Sequence, residues 1–282
     1  MLQPETVLAQ ILNNLAVGQT PTSGEWQQLV AEALADERRA KAFGITSVNV
    51  EKVIQERAII FSSVYPDILI QFPGFSNELS LSTPELTRVT LILLWNLWLP
   101  LAMQLASWRQ QLGRPLIQGV LGGQGTGKTT LSAVLSLILA HLGYRTLSLS
   151  LDDLYKTYTE RQHLQQQDPR LIWRGPPGTH DVELGKQLLD QLSQPNLKQP
   201  VFVPRFDKSA WGGAGDRTAP EMVEGIDIVL FEGWFVGVRP IDSAIFDAPL
   251  PAPIQTSADR SFAREMNDRL KDYLPLWERL DR

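Results

Sequence analysis

Apolar residues over the first 112 positions recur at helical spacing, broken by turn chemistry at 18–24 (GQTPTSG), at 72–85 (FPGFSNELSLSTPE) and at Gly113. Thr83, Pro84 and Glu85 predict a helix start, with Thr83 as N-cap and Pro84 at the first helical position. From Arg114 the period changes. Short apolar runs at 116–121 (LIQGVL), 146–151 (TLSLSL), 201–206 (VFVPRF) and 226–231 (IDIVLF) alternate with helical segments, one following the first run and another from about Asp181 to Leu192. Runs of this kind, buried on both faces, predict a mainly parallel sheet with helices on either side. The pattern therefore divides the chain into a helical N-terminal extension, 1–112, and an α/β domain, 113–282.

The longest apolar stretch, 91–106 (LILLWNLWLPLAMQLA), is shorter than a membrane span of about 20 residues and is interrupted by Asn96, Pro100 and Gln104, so a buried helix is expected there and no membrane partner. The N-terminus shows no export or organelle signal. With 43% hydrophobic and 20% charged residues among 282, the composition is that of an ordinary globular protein. A net charge of −5 argues against a nucleic-acid partner. The absence of cysteine excludes disulfides, thiol catalysis and Cys-ligated zinc and fits a reducing cytoplasm, and His141, His163 and His180 are too scattered to suggest a metal cluster. The Pro-rich segment 249–253 (PLPAP) reads as a stiff linker.

Between the run at 116–121 and the next helix lies GGQGTGKTT, residues 122–130. It matches G-x-x-x-x-G-K-S/T with Gly122, Gly127, Lys128 and Thr129 in register and in the strand-loop-helix setting the motif needs. Glycines in such a loop let backbone N–H groups converge on an anion, and the helix N-terminus adds its positive dipole end. Gly122, Gly123, Gln124, Gly125, Thr126, Gly127, Lys128, Thr129 and Thr130 are therefore expected to cradle the phosphates of ATP, in a P-loop NTPase-like three-layer fold. Lys128 would reach the β- and γ-phosphates, and Thr129 would offer its hydroxyl to Mg²⁺. A plain helix-capping turn gives no reason for Lys-Thr-Thr at that register.

Two further strand ends carry acids. Asp152 and Asp153 follow 146–151, at the edge of an open α/β sheet where ligands collect. A carboxylate there could take the proton of a substrate hydroxyl or hold Mg²⁺, while an ordinary N-cap role accounts for one of the pair but not both. Glu232 ends the run at 226–231 and is followed by Gly233, the pattern of a magnesium-holding acid with room for close backbone approach. Two loops complete the set. RGPPGTHD, 174–181, holds His180 and Asp181, for which helix capping by Thr179 or Asp181 is a competing reading, and FDKSAWGGAGDR, 206–217, holds Lys208 and Arg217, which spacing alone does not separate from surface charge.

The ordered set GGQGTGKTT, LDDLY, RGPPGTHD, FDKS…GDR and VLFEGW, spread over roughly 80–282, resembles the phosphoribulokinase, uridine kinase and pantothenate kinase superfamily, and within it the D-glycerate 3-kinases of plants and cyanobacteria. The resemblance implies ATP- and Mg²⁺-dependent transfer to the 3-hydroxyl of D-glycerate. By motif position Asp152 would be the base, with Lys128, Lys208 and Arg217 as catalytic cations. Asp153, Tyr155, His180, Asp181, Lys208 and Arg217 would bind the substrate, and Thr129, Asp152 and Glu232 would hold the metal. Fixed cations suit a carboxylate substrate and an anionic transferring group. The motifs leave open another alcohol acceptor (nucleoside, pantothenate, sugar phosphate). The family pattern continues beyond the segment ending at Arg282 into a further strand and a basic lid, so the resemblance also leaves open a nucleotide-binding protein with little turnover.

Overall fold

Helical periodicity in the first part of the chain becomes the helices Pro4–Ala16, Ser23–Ala35, Glu37–Ala42 and Val50–Gln71, then Pro84–Leu93, a π-helical turn Leu94–Trp98 and Leu99–Leu112. The computed structural model describes residues 4–72, 84–171, 174–195 and 199–282, so the expected cap at Thr83 and most of the turn segment 72–85 lie outside the described residues. By internal contacts the chain forms two units, Met1–Gln111 with Thr130–Arg145, and Leu112–Thr129 with Thr146–Arg282.

In the first unit the helix Ser23–Ala35 starts on a reciprocal cap between Thr22 and Glu25, which satisfies two of the N–H groups that a helix start leaves without partners. Its core gathers Ile11, Leu12, Leu29, Ile54, Phe61, Leu94 and Trp95, and Phe61 meets Trp95 edge-on at 5.8 Å. The apolar stretch extends further than its sequence suggests. Arg88–Leu112 forms 25 helical residues, long and apolar enough to cross a membrane, yet 56% of its most apolar window is buried inside the protein. The interruptions are absorbed locally: Pro100 has no N–H for the carbonyl four residues back, and just before it the helix widens into the π turn, with the Leu99 N–H on the Leu94 carbonyl. The helix ends at Leu112 because Gly113 takes φ of +66°, the left-handed closing position.

The second unit is built on β1 (Leu116–Leu121), β2 (Thr146–Ser150) and β7 (Ile228–Gly233), ordered β1-β7-β2 and parallel throughout. Leu121 pairs with Gly233 and Ser150 with Glu232, so all three strands deliver their following loops to one edge. The helix Val182–Leu192 buries Gly185, Leu188, Leu189 and Leu192, a single face at i, i+3, i+4 and i+7. It joins a core with Leu149, Phe231, Phe235, Tyr273 and Trp277. On the side of β1 away from β7, the Asp281 N–H bonds the Ile117 carbonyl and the Gly119 N–H bonds the Arg282 carbonyl, both at 2.9 Å. Arg114 grips the Asp281 carboxylate with both terminal nitrogens.

The run at 201–206 does not form one sheet strand as expected. It divides into β3 (Val201–Val203), paired antiparallel with β6 (Glu221–Val223), and β4 (Phe206–Asp207), paired with β5 (Asp216–Arg217). Pro204 has no N–H to give a ladder and separates the two pieces. The consequence is functional, because β4 and β5 close the loop that carries Lys208 into a hairpin. The glutamine run at 165–167 closes the helix Tyr158–Gln167, which is opened by a reciprocal cap between Thr157 and Glu160.

Candidate active site

The loops leaving β1, β2 and β7 border a cleft of about 560 Å³ within the second unit. Its floor is the loop after β1. Gly122 donates to the Gly233 carbonyl at 3.2 Å, and the Thr126 hydroxyl braces the loop on the Gly123 carbonyl at 2.8 Å. A side chain at Gly122 would lie 2.7 Å from the Thr126 oxygen and 3.1 Å from the Lys128 stem, so glycine lets the loop fold over itself. Lys128 opens the following helix and holds its ammonium 2.8 Å from the Gly123 carbonyl, directly over the loop. Gly123, Gln124, Gly125, Lys128 and Thr129 line the cleft, whereas Thr130 is an exposed residue that does not.

The acid on β7 meets the loop. Glu232 accepts the Thr129 hydroxyl at 2.9 Å through one carboxylate oxygen, and its other oxygen is buried with no hydrogen-bond partner. A buried acceptor left without a partner costs about 1–3 kcal/mol. Beside a threonine hydroxyl, it makes a pair of oxygen donors that could hold a hard divalent cation. Among the described residues no group of three or more His, Cys, Asp or Glu gathers as a metal site by itself.

The adjacent acids after β2 have different fates. The turn Leu151–Leu154 is a short 3-10 segment in which the Asp153 carboxylate accepts the Ser150 N–H at 3.0 Å and pairs with Arg205 at 2.9 Å. Burial pushes the Asp153 carboxyl up, with Arg205 pulling the other way. Asp153 is thus a bracing group that does not line the cleft. Asp152 does line it, and takes the Lys208 ammonium at 2.6 Å.

Tyr155 also lines the cleft, and burial, with the Asp152 charge beside it, drives its phenol far above the usual range. Behind it stands His180, 2% exposed and stacked on the Tyr155 ring at 4.3 Å. Burial lowers the His180 ring to about 3, so the imidazole is neutral at neutral pH. Its Nδ1 lies 2.8 Å from the Tyr273 hydroxyl, which also receives the Gly178 N–H. The segments around Tyr155 and His180 are zipped together, with the Lys156 N–H on the Thr179 carbonyl and the Asp181 N–H on the Leu154 carbonyl. Asp181 caps the helix Val182–Leu192 through the Leu184 N–H and holds Arg217 at 3.0 Å. Arg217 in turn bonds the Tyr155 carbonyl at 2.9 Å, outside the lining of the cleft.

Ser150 and Trp234 line the cleft without having been singled out from the sequence, and so does Arg174, which the sequence offers only as one donor of the loop 174–181. Arg161 does not line the cleft but braces it. Buried in the helix Tyr158–Gln167, it donates to the carbonyls of Lys156, Ala214 and Gly215 and lies 5.1 Å over the Phe206 ring, which pins both ends of the Lys208 hairpin. Only its capped helix could have hinted at it.

Gly233 joins the strand acid to this turn. A methyl group there would lie 2.7 Å from Leu151 Cβ and 2.7 Å from Val236 Cγ2. Gly233→Ala is expected to cost about 1–3 kcal/mol by overpacking and to displace the turn bearing Asp152. Thermal melting together with turnover checks this; a stable variant with full turnover would show that the contact is tolerant.

No profile of a known protein family matches the chain. It is 33% identical over 177 residues to the uncharacterized kinase mug58 of Schizosaccharomyces pombe, covering 60% of this chain and 63% of the relative. It is 33% identical over 175 residues to the chloroplastic D-glycerate 3-kinase of Arabidopsis thaliana, covering 58% of this chain and 36% of the relative. The chain thus spans less than two thirds of the length of either. Among solved structures, a D-glycerate 3-kinase from Cryptococcus neoformans is similar at 31% identity with a TM-score of 0.56, covering 64% of this chain and 70% of that one.

Proposed function

The chain belongs to the P-loop kinase family that includes the D-glycerate 3-kinases, and we propose on that basis that it transfers the γ-phosphoryl group of ATP to the 3-hydroxyl of D-glycerate, giving 3-phosphoglycerate. The observation that carries this reading is the convergence on one cleft of the loop with Lys128, the Thr129–Glu232 pair and the carboxylate of Asp152.

The loop N–H groups and Lys128 hold the ATP phosphates at a helix start, where the dipole favours negative charge. Thr129 and the partnerless Glu232 oxygen would hold Mg²⁺, which when bound neutralises charge on the β- and γ-phosphates. Asp152 accepts the proton of the attacking hydroxyl. Lys208, paired with Asp152, brings a positive charge to the place where the transferring group passes. His180, neutral and buried, backs the Tyr155 ring that closes the acceptor side, and Asp181 with Arg217 fixes the backbone under it.

A panel of D-glycerate, L-glycerate, glycerol, uridine, pantothenate and ribulose 5-phosphate in an ATP-consumption assay tests the acceptor, with ³¹P NMR assigning the phosphorylated position. D-Glycerate is expected to give the highest kcat/KM and the 3-phosphate. Preference for another alcohol would remove the glycerate assignment, and Mg-ATP binding by calorimetry without any product would remove the kinase assignment.

A further inference from the structure

The proposed acceptor carries a carboxylate as well as the reacting hydroxyl, and a carboxylate confined in a cleft needs a cation that is not already paired. Resting on the glycerate reading, we propose that Arg174 is that partner, a carboxylate-binding residue that fixes acceptor specificity.

The choice follows from what the cations that line or brace the cleft already hold. Lys128 sits on the phosphate loop at the Gly123 carbonyl. Lys208 is paired with Asp152 at 2.6 Å. Arg217 is occupied by Asp181 and the Tyr155 carbonyl and does not line the cleft. Arg205 is shared between Asp153 and Glu221, and Arg161 between three backbone carbonyls. Arg174 lines the cleft, is half-buried, and among the described residues has no carboxylate partner; its guanidinium reaches only the Lys208 carbonyl, at 3.5 Å.

Position supports the same choice. Asp152, Tyr155 and Arg174 line the same cleft, so the acid and the cation share it with one aromatic ring. An acceptor with its hydroxyl at Asp152 and a short carbon chain along Tyr155 presents its carboxylate to Arg174. A planar guanidinium matches a carboxylate with two parallel hydrogen bonds, which a lysine ammonium does not reproduce. Phosphate on the nucleotide has its own loop, and an acceptor without an acid, such as glycerol, would leave Arg174 unpaired.

The test uses the full chain and two variants, Arg174→Gln and Arg174→Lys, with D-glycerate and glycerol as acceptors, and D-glycerate binding measured by calorimetry with a non-hydrolysable ATP analogue. In Arg174→Gln the KM for glycerate is expected to rise about 10- to 100-fold, the range for losing a charge-assisted pair. kcat and the KM for ATP should stay within about threefold, on the view that the lost contact is made equally before and during transfer. The preference for glycerate over glycerol should collapse, and Arg174→Lys should recover part of it. An unchanged glycerate KM, or a kcat loss equal for both acceptors, would overturn the assignment and place Arg174 on the transferring phosphoryl group or outside the chemistry. If the unaltered chain binds glycerate without phosphorylating it, the proposed activity fails while the dependence of binding on Arg174 still decides the inference. If it binds none, both fall.

Discussion

Lys128→Ala is expected to lower phosphoryl transfer by about 10³-fold, the scale seen when a principal electrostatic stabiliser is removed from a preorganised site. Lys128 is the first residue of its helix, and its ammonium is held over the loop by the Gly123 carbonyl at 2.8 Å, so the charge is in place before the nucleotide arrives. Charge on the γ-phosphate oxygens builds up in the loose transition state, and alanine leaves only loop N–H groups and the helix dipole to meet it. The fold should hardly register the change, because a surface side chain of this kind contributes within about 0.5 kcal/mol. Turnover and a thermal melt on the same preparation check both halves. Near-unaltered turnover would remove the phosphate-binding role of the loop, and a large fall in melting temperature would reassign Lys128 to the fold.

Sequence made some parts of this site legible and hid others for definable reasons. Gly122 through Thr129 could be read because the loop is contiguous and its flanks, a buried strand and a helix, have their own periodicities. Glu232 could be placed because the carboxyl end of a parallel strand falls on the sheet edge whatever the strand order. The sheet order β1-β7-β2 could not be read, since parallel neighbours are far apart along the chain. Nor could the hairpin carrying Lys208, whose two-residue ladders follow a proline and lack an alternating pattern. Long-range side-chain contacts were also hidden. Tyr273 reaches His180 across 93 positions and Arg161 reaches Ala214 across 53, and no local pattern marks either partner. The cations show the limit most clearly, because spacing did not separate Arg217 from surface charge, and its contacts with Asp181 and the Tyr155 carbonyl join segments far apart along the chain.

The adjacent acids Asp152 and Asp153 supply the sharpest contrast. Asp152→Asn should reduce turnover by about 10²-fold or more while Mg-ATP affinity stays within a few-fold, because an amide fills the space but takes no proton from the substrate hydroxyl. Its pairing with Lys208 at 2.6 Å adds a second effect: the amide no longer neutralises that ammonium, which becomes free to hold the phosphates in the ground state. Binding of nucleotide should therefore stay level or tighten slightly as turnover falls. Asp153→Asn should behave in the opposite way. Its carboxylate braces the Ser150 N–H and Arg205 beneath the turn, in a buried position, so the amide weakens a charge-assisted pair and costs about 1–3 kcal/mol of stability. Its turnover should remain within several-fold of the unaltered chain, since the group lies off the cleft. Single-turnover kinetics, nucleotide calorimetry and thermal melting on the two variants side by side separate these roles. A larger turnover loss in Asp153→Asn than in Asp152→Asn would exchange the assignments, and equal, small losses in both would leave the hydroxyl proton to another acceptor such as bulk water.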